Sequence, residues 1–360
     1  MPQYNWKYRV YTNRRNTSEC FDEVVQSSAK VYITRDMYYP HTSQNTPFHN
    51  VRMMRYRPPK ELIKFISSLR RRVTGTQHVF DTLKQVIFKN WIPGKIHLIG
   101  ASSGYDSRLI AKAVQELTKE HGRDWLGETH FVECAGEAEG FKAVMKKLGF
   151  QKNAIIWVPE FTFEYFENLH KRFNGLCAYP MNQWYDFYTK NFDLNEVQYI
   201  SGYGGNVADA MSPYSKFMQP IKKRMTMSRK LLYYFQEQYF YQLSAFKQPK
   251  YSLHPFWDYE YIRAVSGFRP RHRRIAEYLA YYMVPECREI ARMGILREVT
   301  RNGHRKVAPE EMVKLDEWYR STRYGRRNPV QPRSKIEYNK WWLQYCIASY
   351  LDEKNSINIS

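Results

Sequence analysis

The sequence predicts an α/β protein, a mostly parallel sheet flanked by helices, followed by a C-terminal helical lobe. Three observations predict it. Short apolar strands alternate with helical segments of roughly 10–15 residues, the pattern of right-handed strand–helix–strand crossovers. The first of these strands empties into a run of small residues that opens a helix. After Ser215 the strand signals stop and the pattern becomes helical. The boundaries expected are residues 1–58 as a β-rich extension, 59–215 as the α/β domain and 216–360 as a basic, aromatic-rich helical lobe that completes the cleft.

The elements follow in order. Tyr8–Tyr11 and Lys30–Thr34 read as short strands, and Pro58-Pro59 closes the extension, because a residue before proline is pushed out of the helical region. Leu62, Ile63, Phe65, Ile66 and Leu69 recur at helical spacing, as do Val79, Phe80, Leu83, Val86 and Ile87. A turn at Trp91–Gly94 leads into the strand Lys95–Gly100. A helix from Tyr105 to Leu117 carries Leu109, Ile110, Ala113, Val114 and Leu117 on one face. Thr129–Glu133, Ala154–Val158 and Val197–Ile200 are further strands, with helices at Gly140–Leu148 and Thr162–Phe173 between them. In the lobe, helices are expected at Lys222–Leu243, Tyr259–Ser266, Ile275–Met283, Glu310–Tyr319 and Lys335–Tyr350.

Composition narrows the class. Hydrophobic residues make up 43% of the 360, enough for a sizeable core, so global disorder is excluded. Lys and Arg number 56 against 35 Asp and Glu, a net charge of +21 that favours polyanionic partners such as nucleotides or nucleic acid. Five widely spaced cysteines with no C-x-x-C pair give neither a disulfide framework nor a zinc knuckle. Reduced thiols, a polar start without a signal-peptide core and the lack of a membrane-length apolar run lead to the expectation of a cytoplasmic protein with no membrane partner.

The chemistry is concentrated in Ile96–Arg108. Small residues let backbone amides close on an anion, and a helix start adds unpaired N–H groups and the positive end of its dipole. Ser102, Ser103 and Ser107 offer hydroxyls, and Asp106 is placed to hold a magnesium ion on phosphate oxygens. The bland reading is a capped helix start in which Asp106 and Ser107 fill orphan amides. The stretch is neither a Gly-x-x-x-x-Gly-Lys-Ser/Thr loop nor a Gly-x-Gly-x-x-Gly turn.

Ser102-Ser103-Gly104-Tyr105-Asp106-Ser107 resembles the SGGxDS pyrophosphate loop of the ATP pyrophosphatase (PP-loop) superfamily, in particular the synthetase domain of asparagine synthetase. The resemblance continues in order over roughly residues 60–300. Thr129–Glu133 and the helix after Glu137 are similar to the family's second strand, which lines the adenine pocket and brings in Val132. Ser201-Gly202-Tyr203-Gly204-Gly205-Asn206 resembles the SGEGxDE motif, His254–Asp258 the PFLD segment, and Val284-Pro285-Glu286 followed by Arg292 the late LP segment. The resemblance implies an adenine nucleotide alpha hydrolase-like fold, ATP and Mg²⁺ as cofactors, and an AMP- and pyrophosphate-forming ligase or amidotransferase. It implies nucleotide contacts at Ser102, Ser103, Gly104, Tyr105, Ser107, Val132, Gly202 and Gly204, with Asp106, Tyr203 and Arg292 at the reacting centre.

The sequence departs from that pattern. Ser103 replaces a glycine, Tyr203 a glutamate, Asn206 the metal-binding aspartate and Val207 the final acid. Asp106 is the family carboxylate that survives, with Asn206 and Asp209 as substitute metal ligands. Pro2 stands where the family's glutaminase domain has its cysteine nucleophile, so ammonia or another amine is expected from outside the chain.

Other candidates read as structural. Tyr233, Tyr234, Tyr239, Phe240 and Tyr241 suit helix packing better than base stacking, and Trp341-Trp342 suit docking of the last helix. His254 and His304 lack a second ligand at metal spacing, and Cys134, flanked by Glu133 and Glu137, has no histidine beside it in sequence. The enzyme therefore stands against a second class: the same fold with a degraded metal site, serving as a nucleotide- or nucleic-acid-binding module. A base-modifying ligase that holds nucleic acid through its basic lobe combines the two.

Overall fold

The computed structural model describes residues 60–69, 74–134, 138–157, 187–202, 204–205, 251–266, 268, 275–290 and 317, and the backbone of residues 8–11, 15–18 and 51–53. The first three strands, β1 (Tyr8–Tyr11), β2 (Arg15–Ser18) and β3 (Val51–Met53), form an antiparallel sheet of their own in the order β2-β1-β3. Tyr8 pairs with both Ser18 and Met53. The expected strand at Lys30–Thr34 lies outside the described residues.

Among the described residues the main sheet has five strands, all parallel: β4 (Ile96–Gly100), β5 (Thr129–Glu133), β6 (Ala154–Ile156), β7 (Val197–Ile200) and β8 (Tyr251–Leu253). Their spatial order is β6-β5-β4-β7-β8. The chain therefore leaves the central strand on one side, reaches β6, and returns across β4 to build the other half. β4 registers His97 against both Thr129 and Gln198, so the strands on either side of it are held level.

Eight of the helical segments matter for the core. α1 (Lys60–Ser68), α2 (Thr76–Asn90), α3 (Tyr105–His121), α4 (Arg123–Leu126) and α5 (Ala138–Leu148) are joined by α6 (Tyr259–Ser266), α7 (Ile275–Met283) and helical residues 187–191. On one face of the sheet α2, α3, α5, α6 and α7 share a core with Ile99, Phe131 and Ile200. On the other face Leu98, Val132 and Val197 meet Phe187 and Tyr188. α2 buries Val79, Phe80, Leu83, Val86 and Ile87, and α3 buries Leu109, Ile110, Ala113, Val114 and Leu117, the stripes that helical periodicity requires. The two faces leave β4 and β5 covered on both sides, as parallel sheets demand.

Two sequence expectations are corrected. Strand pairing does not stop at Ser215, because Tyr251–Leu253 adds β8 to the sheet edge. Its three side chains are half-buried and show no alternation, so the segment had no periodic signal; its order comes from the ladder to β7. Ile63 points outward although it fits the helical stripe, because α1 turns Leu62, Phe65 and Ile66 inward. In addition, α6 lies against α2 and α7 against α3. The helices expected at Thr162–Phe173, Lys222–Leu243 and Lys335–Tyr350 lie outside the described residues, as does nearly all of Glu310–Tyr319. No helix among the described residues is long and apolar enough to cross a membrane.

Two buried histidines make the fold sensitive to acid. The His97 ring stacks on Trp91 at 3.7 Å, and His254 stands edge-on to Tyr199 at 6.4 Å. Burial pushes each imidazole down from 6.5 to about 4. As pH falls from 6.5 the unfolded chain binds these protons before the folded one does, so the stability present above pH 6.5 is lost on approach to pH 4. The limit is on the order of 3 kcal/mol per histidine at the usual worth of one pKa unit. Urea midpoints recorded between pH 7 and 4 are expected to fall, and His254→Asn to flatten part of the slope. A midpoint constant over that window would contradict this.

Candidate nucleotide site at the carboxyl end of the sheet

β4 and β7 are neighbours, yet β4 sends the chain to β5 and β7 sends it to β8 on the opposite side. In open parallel sheets such a reversal of strand order opens a crevice at the carboxyl ends, where ligands bind. The described residues that follow these two strands are 101–104 on one side of the reversal and 201, 202 and 204 on the other.

The first loop is shaped by its own hydroxyls. Ser102 Oγ accepts from the Gly104 amide at 3.0 Å and lies 3.2 Å from Ser107 Oγ, which fixes the turn into α3. Gly104, at the N-cap of α3, has no side chain to accept from the amides of the first turn. Ser102, Gly104, Tyr105, Asp106 and Ser107 are partly exposed, whereas the Ser103 side chain is fully buried.

The second loop closes on the first. A Cβ on Gly202 would stand 3.5 Å from Ser107 Oγ and 3.6 Å from the Ser107 nitrogen, so the two loops meet at contact distance. At Gly205 a Cβ would overlap the Asp106 carboxylate, and at Gly204, with φ of +106°, it would overlap the Trp257 indole. Gly205 therefore lies directly against Asp106. Asp106 Oδ1 is sealed from solvent in this arrangement. An acid in the first turn of α3 also suits the positive end of that helix.

Behind the loop lies a residue that the sequence reading passed over. Arg108, only 3% exposed, donates from Nε to the Ser103 carbonyl at 2.9 Å, and from its two terminal nitrogens to the carbonyls of Cys287 at 2.9 Å and Ile290 at 2.7 Å. One turn further along α3, Lys112 Nζ meets Glu286 Oε1 at 2.6 Å. Burial alone would raise Glu286, but the hydrogen bond and charge of Lys112, a backbone amide and the Lys119 charge together hold the carboxyl below its ordinary value. Arg108 and Lys112 sit four residues apart in a stretch otherwise lined by Leu109, Ile110 and Ala113. That i, i+4 pair of cations on an apolar face was the signal available in the sequence.

Of the residues expected at the site, Ser102, Ser103, Gly104, Tyr105, Asp106, Ser107, Gly202 and Gly204 converge on the two loops. The Val132 side chain is fully buried with Leu98, Cys134 and Val197, and its carbonyl accepts from the Ala101 amide at 2.9 Å. Glu133 is likewise fully buried. Tyr203, Asn206, Asp209 and Arg292 lie outside the described residues. Among the described residues no group of three or more His, Cys, Asp and Glu side chains is arranged to hold a metal ion.

The fold and these loops define a parallel α/β protein in which two loops meet at the strand-order reversal. No protein-family model matches the chain, and a search of the curated proteins finds no match for it.

The fit of the two loops predicts an order of effects. Gly204→Ala strains a positive φ and drives into a rigid indole, so it is expected to destabilise by about 1–3 kcal/mol. Gly205→Ala meets a side chain that can be removed, so its cost should shrink in an Asp106→Ala background. Chemical denaturation of the four variants checks this; additive effects of Gly205→Ala and Asp106→Ala would mean that the two do not touch.

Proposed function

We propose that the protein is an ATP-dependent, AMP-forming ligase related to the synthetase domain of asparagine synthetase, with its phosphate-binding mouth between β4 and β7. The observation that carries this reading is the meeting of Gly202 with Ser107 over an α3 start whose N-cap is glycine. The amides of Tyr105–Ser107 and the hydroxyls of Ser102 and Ser107 then receive the phosphate tail, and the helix dipole favours its charge.

Magnesium usually takes one or two carboxylates together with phosphate oxygens and water. Asp106 meets that requirement with one carboxylate, although Oδ1 is taken up against Gly205. Asn206 and Asp209 are the proposed additional ligands, and Arg292 the proposed fixed positive charge. A bound Mg²⁺ would neutralise charge on the phosphate oxygens.

In the proposed reaction an acceptor carboxylate oxygen bonds to the α-phosphorus as the bond to the bridging oxygen breaks and pyrophosphate leaves. An amine nitrogen then bonds to the acyl carbon, AMP departs with the C–O electron pair, and the nitrogen releases a proton. The loop's part is electrostatic: donors fixed before the reaction stabilise charge that builds on the leaving pyrophosphate. The amine comes from outside this chain.

A second reading is favoured by one observation, the packing of Asp106 against Gly205. There Asp106 is a structural contact, and the fold is a module that binds nucleotides or, with its charge of +21, nucleic acid.

Exchange of labelled pyrophosphate into ATP separates the two. The ligase is expected to exchange when offered its carboxylate acceptor, and Asp106→Ala to lower the rate about a hundredfold, the usual scale for one electrostatic contact. No exchange across a panel of amino-acid and nucleic-acid acceptors, with ATP binding unchanged by Asp106→Ala, would overturn it.

A further inference from the structure

We infer that Arg108 is a positioning residue that couples the loop after β4 to residues 285–290, so that the phosphate mouth and the segment leading to Arg292 move as one unit. The inference rests on the nucleotide reading for its consequence but not for its geometry.

A cation belongs at the end of a helix, where the dipole is negative, and Arg108 sits in the first turn of α3, where it is disfavoured. Helix stability therefore does not account for it. A buried guanidinium is a planar fork whose directions are fixed, and here it spans two chain segments far apart in sequence. Nε holds the Ser103 carbonyl, on the peptide that leads into Gly104, and so sets the tilt of the amide at the N-cap. The two terminal nitrogens hold Cys287 and Ile290, on either side of the turn that follows the 3₁₀ segment Pro285–Cys287. Lys112 holds the same segment by Glu286. Residues 285–290 are thus fastened to α3 at three points, and one of the fasteners also fixes the loop.

Two consequences follow. An anion on the loop draws the Ser103–Gly104 peptide toward one orientation and, through Arg108, orders residues 287–290. Conversely, loosening residues 285–290 loosens the loop. A lysine at position 108 keeps the charge but reaches only one of the three carbonyls in a fixed direction.

Amide hydrogen exchange on the full chain tests this, with inorganic pyrophosphate as the probe. In the free protein Arg108→Lys is expected to speed exchange at Gly104 and Arg108 and at Cys287, Arg288 and Ile290 together, by about tenfold, a usual scale of coupling. These amides are bonded in the parent fold, to Ser102 Oγ and to the carbonyls of Gly104, Val284, Pro285 and Cys287 respectively. Lys112→Gln, which leaves Arg108 in place, should loosen 287–290 and the loop in the same ratio. Exchange that quickens at 287–290 alone in Lys112→Gln overturns the coupling, including where Arg108→Lys does not fold. Pyrophosphate is expected to protect both segments in the parent protein and the loop alone in Arg108→Lys; equal protection of both in Arg108→Lys also overturns it. If pyrophosphate and ATP protect nothing in the parent, the nucleotide reading fails, while the free-protein comparison still decides the coupling.

Discussion

The parallel pairing of β4 with β7 is the constraint on which the site depends. It joins two halves of the sheet that the chain builds in opposite directions, and it brings the loop after Gly100 to the loop after Ile200. Each loop is short on side-chain bulk where they meet. Gly202 lies at Ser107, Gly205 at Asp106 and Gly204 at Trp257, so three backbone approaches substitute for side-chain packing. The cost of that choice is conformational freedom, which glycine loses on folding more than any other residue. The surrounding order offsets it, with Ser102 closing the first turn and the buried Trp257 walling the second.

Around that pairing the core is conventional in its physics. The helices α2 and α3 present continuous apolar stripes, and α6 and α7 return from late in the chain to cover them. The polar exceptions are few among the described residues and have positions that matter. Arg108 and Lys112 are buried cations that tie α3 to residues 285–290 instead of facing water. Burying such charges is costly unless they are matched by acceptors, and here carbonyls and Glu286 supply the match.

Much of this arrangement was legible in the residues, and the exceptions have physical causes. The strands at Ile96–Gly100, Thr129–Glu133 and Val197–Ile200 were legible because covered parallel strands read as apolar runs. The loop was legible because Ser102, Ser103 and Gly104 are small where a strand meets a helix. β8 was not, since Tyr251–Leu253 takes its conformation from a neighbour rather than from alternation. The contact of Asp106 with Gly205 was not legible either, because it joins loops that only the strand order places side by side. The role of Arg108 was not legible because the carbonyls it binds, those of Cys287 and Ile290, lie far along the chain. Val132, a position the resemblance implies for nucleotide contact, has its side chain buried among Leu98, Cys134 and Val197.

The proposed function makes one spatial claim, that the phosphates of an adenine nucleotide rest on the start of α3 beside Gly202. A crystal structure of the protein with a non-hydrolysable ATP analogue and Mg²⁺ tests it most directly. The account predicts triphosphate density within hydrogen-bonding distance of the amides of residues 104–107. Density lodged elsewhere on the protein, with Ser107 and Gly202 still in contact across an empty mouth, would contradict it.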